Sequence, residues 1–144
     1  MKVVLGRYGV VNGNNVIYTS DSVKNSILKI NKDNKRIYVE SVDQNDMMKG
    51  LDAATSIKRA YTIDMSNVVG SITDIDYLIS DNGSLLVTGE FEPALSKLSL
   101  STLSESKFAL RAFSKQNTIT NGVIEHNVVE IIAWDLVPIY KKDS

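Results

Sequence analysis

The chain has 144 residues, 43% hydrophobic and 23% charged, with a formal net charge of −1. That size suits a single domain, residues 1–144, able to bury roughly two-thirds of its unfolded surface without staples. The charge balance gives no long-range field for nucleic acid or an anionic membrane. The absence of cysteine excludes a disulfide framework, a thiolate zinc site and a cysteine nucleophile.

Nothing resembles a membrane span of ~20 apolar residues. Arg7 interrupts the first apolar stretch too early for a signal peptide. The expectation is a soluble protein that is not secreted, with no membrane partner.

In chain order, Val3 to Val11 reads as a strand, Asn12 to Asn15 as a turn, and Val16 to Tyr18 as a second strand. Gly and Asn tolerate positive φ cheaply, so this start predicts a β-hairpin. Thr19, Ser20 and Asp21 offer helix caps, and Val23, Ile27, Leu28 and Ile30 follow at helical spacing. Residues 21–30 are predicted to be a helix. Arg36 to Val42 is β-like, with Ile37 and Val39 on one face and Tyr38 on the other.

Met47, Met48 and Leu51 suggest a short helix that Gly50 weakens. Ser56 to Ile63 alternates like a strand. Val68 to Phe91, folded back at Ser80-Asp81-Asn82-Gly83, predicts a hairpin. Pro93 is placed at the first turn of a helix whose buried side is Leu95, Leu98 and Leu103. Lys107 to Ser114 and Val123 to Trp134 are strands, Asp135 to Pro138 ends the last one, and the tail is expected to fray. Trp134, with Ile131 and Leu136, is assigned to the core. The fold class is α+β, a mostly antiparallel sheet or small barrel carrying one or two packed helices.

Candidate chemistry is sparse. His126 is the only histidine, so no multi-histidine metal site can form. As a general base it needs a serine and an orienting group nearby. Asp74 with Asp76, and Glu90 with Glu92, are spaced like cation-binding pairs but equally like a solvated strand face. No nucleophile elbow and no phosphate loop occurs. Lys107, Arg111 and Lys115, with Phe108 and Phe113, form a basic and aromatic pattern of the kind that clamps single strands. The near-neutral charge argues against nucleic acid as a partner. No cofactor and no metal are expected.

Four segments in order resemble the bacteriophage prohead protease family. They are Asn12 to Tyr18 followed by a helix; Val69 to Ile75 with Asp81-Asn82-Gly83 and Leu85 to Phe91; Phe108-Ala109-Leu110-Arg111-Ala112; and Glu130 to Pro138. The third is similar to the family's serine-bearing strand, in which Ser is followed two places later by Arg. The resemblance implies a prohead-protease fold and a setting in assembling viral heads.

It also implies that the nucleophile's place is held by Ala109, and that the family's histidine belongs near Glu40-Ser41-Val42-Asp43, where none occurs. Ala109 and Asp43 are thus the degenerate catalytic positions, and a methyl group cannot attack a carbonyl. A pseudo-enzyme follows as the leading expectation: a capsid-associated, decorating or assembly factor in the virion head or host cytoplasm. Its partners would be capsid or scaffold and core proteins, with a homo-oligomer allowed. One alternative is an active peptidase using Ser114 with His126, or Ser106 in place of Ser114. The other is a protein- or ligand-binding module unrelated to phage heads.

Overall fold

The computed structural model describes residues 1–42, 47 and 49–139. Strands β1 (Lys2–Tyr8) and β2 (Val16–Tyr18) precede helix α1 (Ser20–Lys32) and strand β3 (Ile37–Glu40). Helix α2 (Ala53–Ala60) leads to strands β4 (Val68–Ile79) and β5 (Leu85–Pro93). Helix α3 (Leu100–Ser104) and the long strands β6 (Ser106–Thr118) and β7 (Ile124–Pro138) complete the chain. The strands form two sheets, ordered β1-β5-β4-β3 and β2-β7-β6. Every pairing is antiparallel except that of β2 with β7. The end of β3 stitches the sheets together: Ser41 bridges Leu136, and the Val42 N–H donates to the Leu136 carbonyl at 3.3 Å. The α+β class is as the sequence predicts.

The β4–β5 hairpin matches its local code. Gly83 takes φ +84°, and its N–H donates to the Ser80 carbonyl at 2.9 Å. Such a φ is cheapest for glycine, which has no Cβ. In α1 the buried residues include Val23, Ile27 and Ile30, one stripe of a 3.6-residue period. Leu28, counted into that stripe from the sequence, is 48% exposed, because its position rotates it off the buried face. Asp21 in the first turn and Lys29 and Lys32 in the last complement the helix dipole.

Several expectations are corrected. Ser56 to Ile63 is no strand, since most of it lies in or just after α2. Asp52 caps that helix, accepting from the Thr55 N–H at 2.7 Å, and the adjoining alanines favour helix. Pro93 ends β5 instead of opening a helix. The next helix starts at Leu100, where the Ser99 hydroxyl accepts from the Thr102 N–H at 3.1 Å. Leu98 is buried, but Leu95 is 71% exposed.

The N-terminal hairpin is confined to the residues nearest its turn, Gly9 with Tyr18 and Val11 with Ile17. β1 and β2 themselves belong to different sheets. The strand ended at Trp134 by the sequence pattern continues to Pro138. The short helix expected around Met47 and Met48, and the fraying tail, fall largely or wholly outside the described residues.

The core lies between the sheets and α1 and includes Leu5, Ile27, Ile72, Phe91 and Trp134. Trp134 is fully buried, with Ile131 and Leu136 each at 2% exposure, as expected of core residues. Its Nε1–H donates to the Tyr8 hydroxyl at 2.8 Å, and that hydroxyl donates to the Leu5 carbonyl at 2.9 Å. One buried relay thus joins β7 to β1 across the two sheets. Burial holds the Tyr8 hydroxyl far above its ordinary pKa, the Trp134 bond opposing the shift only in part. Gly6 makes room for it: a Cβ there would stand 2.6 Å from the Tyr8 oxygen.

Candidate functional site

Charged residues inside apolar strand runs must find partners, because an unpaired buried charge is costly. Three such residues meet here. Glu40 ends β3 after a register shift between Val39 and Glu40, which leaves both side chains buried. Arg111 lies on β6 and Asp135 on β7, 7% and 0% exposed. The Arg111 NH2 group donates to Glu40 Oε2 at 2.6 Å and to Asp135 Oδ1 at 3.0 Å. Arg59, on α2, reaches in from the other side with two bonds, to Glu40 Oε1 at 2.5 Å and Oε2 at 3.2 Å. The Arg111 NH1 group is spent on carbonyls at the end of α2, those of Arg59 (3.3 Å), Ala60 (3.5 Å) and Thr62 (3.0 Å).

Burial alone would raise the Glu40 pKa. The Arg59 and Arg111 guanidiniums and the Asp64 backbone N–H more than offset it, and the carboxyl is held below its usual value. The cluster holds two carboxylates and two guanidiniums, so it closes neutral.

Ala109 pairs directly with Asp135 across the β6–β7 ladder. The two-residue alternation of a strand puts Ala109, Arg111 and Phe113 on one face of β6. Phe108, Leu110 and Ala112 take the other face and pack on the core. Ala109 is partly buried, and its methyl group therefore shares a face with Asp135 and Arg111. Asp43, the second position that the resemblance implies to be degenerate, lies outside the described residues.

Ser114 and His126 stand on the opposite face of β6–β7 from Ala109. Ser114 pairs with Val128, and His126 with Gln116, so the two are diagonal neighbours. Diagonal residues in a sheet lie ~7–8 Å apart. The Ser114 hydroxyl is buried with no hydrogen-bond partner, so no bond joins it to the imidazole. His126 instead lies against the Tyr18 ring, centroids 5.2 Å apart. Ser106 donates to the Thr102 carbonyl at 2.7 Å.

Burial depresses the His126 pKa from its ordinary 6.5. A histidine that is harder to protonate when folded costs stability as pH falls through 6.5 toward its folded value. An NMR titration is expected to place its midpoint below 6.5 and to give the same midpoint in Ser114→Ala. A midpoint moved by that substitution would reveal a serine–histidine contact.

The other candidates disperse. Asp74 is exposed inside a bulge in β4, where it takes φ +52°, and Asp76 is exposed just after it. Glu90 and Glu92 are exposed on β5, with Glu90 3.3 Å from the N-terminal amine. No group of three or more metal-ligating side chains occurs among the described residues. No helix there is long and apolar enough to cross a membrane. Arg111, read from the sequence as part of a basic and aromatic pattern, is bound up in the ion cluster and turns no charge outward.

Sequence reasoning missed the cluster's acids. The signal was present: Glu40 follows Ile37-Tyr38-Val39, and Asp135 interrupts the apolar run from Ile131 to Val137. Strand residues of opposite charge in such settings are candidates for one another.

No known family model matches the sequence, and no curated protein does. A search of solved structures does find a likeness. The chain shares its fold with the bacteriophage T4 capsid assembly protease, gp21. The TM-score is 0.65 at 13% sequence identity, over 95% of this chain and 80% of that one. At that identity the likeness is one of architecture, and the capsid assembly protease fold is what the two chains have in common.

Proposed function

We propose that this chain is a non-catalytic phage head protein, a capsid-associated, decorating or assembly factor built on the capsid assembly protease fold. The observation that carries the reading is Ala109. Its methyl group occupies the place that the resemblance assigns to a serine nucleophile, beside Asp135 and two residues before the buried Arg111. A methyl group has no lone pair with which to attack a carbonyl. On this reading Arg111 keeps a structural task, clamping Glu40 and Asp135 and closing the end of α2. The partners would be capsid, scaffold or core proteins. Pairing at a strand edge is one physical route, since β1 and β6 stand at the ends of their sheets.

Two measurements test it. Mass spectrometry of purified particles from the source of this chain should count it at a fixed ratio to the capsid protein. The purified protein should remain unlabelled by a fluorophosphonate probe for activated serines. Labelling abolished by both Ser114→Ala and His126→Ala would make the chain a peptidase and overturn the proposal. So would absence from particles together with no binding to capsid or core proteins.

A further inference from the structure

α2 buries none of its residues. Ile57 on it is 59% exposed, and Tyr61 at its end is 45% exposed. Among the described residues its backbone hydrogen bonds are all local, running from Ser56 to Asp52, Tyr61 to Lys58 and Thr62 to Arg59 besides those inside the helix. A helix of eight residues is too short to persist on propensity alone. What fastens it is a small set of side-chain contacts. Arg59 clasps Glu40, Arg111 holds the carbonyls at the helix end, and Tyr61 meets the Phe113 ring edge-on at 5.4 Å.

We infer that α2 is an ion-latched flap, which opens as a unit while the strands stay folded and so uncovers the β6 face bearing Arg111 and Phe113. The energetics favour such a local opening. When α2 leaves with Arg59, Arg111 still lies between Glu40 and Asp135, so neither carboxylate loses its last cation. α2 contributes no residue to the buried core, so its opening withdraws none from it. The segment after the helix is anchored by the Asp64 N–H on Glu40 and by the Ser41 N–H on the Asn67 carbonyl at 3.0 Å, which places the hinge between Thr62 and Asp64. Regions with few buried contacts open at lower cost than the global fold. This inference rests on the fastening of α2 and stands whether or not the chain is a head protein.

Hydrogen exchange read by mass spectrometry on the full chain tests it. Amides of Ser56 to Thr62 should exchange at a rate insensitive to low denaturant, while those of Leu85 to Phe91 follow global unfolding. Losing one charge-assisted clasp in Arg59→Met should speed α2 exchange about tenfold and leave the β5 amides within about twofold. Phe113→Ala should speed α2 in the same selective way. The inference is overturned if α2 exchanges only together with β5, or if Arg59→Met accelerates both regions alike. Amides of α2 with no protection in the wild-type protein would overturn it as well, since the latch would not then be closed.

Discussion

Arg111→Met is expected to destabilise the protein by about 3–5 kcal/mol at neutral pH, the cost of removing one partner from a buried ion pair. The substitution keeps most of the side-chain volume, so the loss is electrostatic. Asp135 and Glu40, both 0% exposed, lose the guanidinium that lies 3.0 Å and 2.6 Å from them. The carbonyls closing α2 lose a donor as well. Urea denaturation should show a lower midpoint with an unchanged slope.

The pH dependence gives a second reading of the same cluster. Glu40 has a folded pKa below its unfolded one. Its contribution is therefore present above the unfolded pKa and is lost as pH falls through the folded value. A protonated Glu40 has little need of a cation, so the gap between wild type and Arg111→Met should narrow below about pH 4, near the ordinary glutamate pKa. The double replacement Glu40→Gln with Arg111→Met should recover part of the loss. A variant within about 0.5 kcal/mol of wild type, the range of an ordinary surface change, would show that the cluster contributes nothing net.

Trp134→Ala should cost about 3–5 kcal/mol, as large-to-small changes in a packed core do. Trp134 is fully buried and anchors β7 against β1 through its bond to Tyr8. Tyr8→Phe isolates the polar part of that contact. It leaves the indole N–H unpaired in the core, for about 1–3 kcal/mol. The two losses should not add, because both remove the same hydrogen bond. Trp134 is the only tryptophan, so wild type and Tyr8→Phe can be followed by its fluorescence and Trp134→Ala by circular dichroism. Strict additivity in the double mutant would mean that the 2.8 Å contact carries no energy.

The proposed phage head role and the proposed ion-latched helix bear on the same surface. The face of β6 with Ala109 and Arg111 is also the face over which the end of α2 is fastened. If a capsid or core protein docks there, Arg59→Met should change that binding without disturbing the two sheets.

Elements whose rules act between neighbours in sequence were legible from the residues alone. The β4–β5 hairpin follows from alternation and a glycine-containing turn, and α1 from caps and a 3.6-residue stripe. The core place of Trp134 follows from its apolar surroundings, and the α+β class from the count of such patterns. The ordered resemblance of four short segments pointed to the architecture that the T4 protease shares.

Tertiary structure decided the rest. Ser56 to Ile63 alternates as a strand would, yet no neighbouring strand offers a ladder, and the Asp52 cap wins. β2 follows a turn that promises a hairpin, but most of its pairing goes to β7 in parallel. The Glu40–Arg111 contact joins residues 71 positions apart. Composition and periodicity mark each as an unusual charge in an apolar run. Only the closing of β3 against β7 says which charges meet, because pairing energy depends on distance in space and not along the chain.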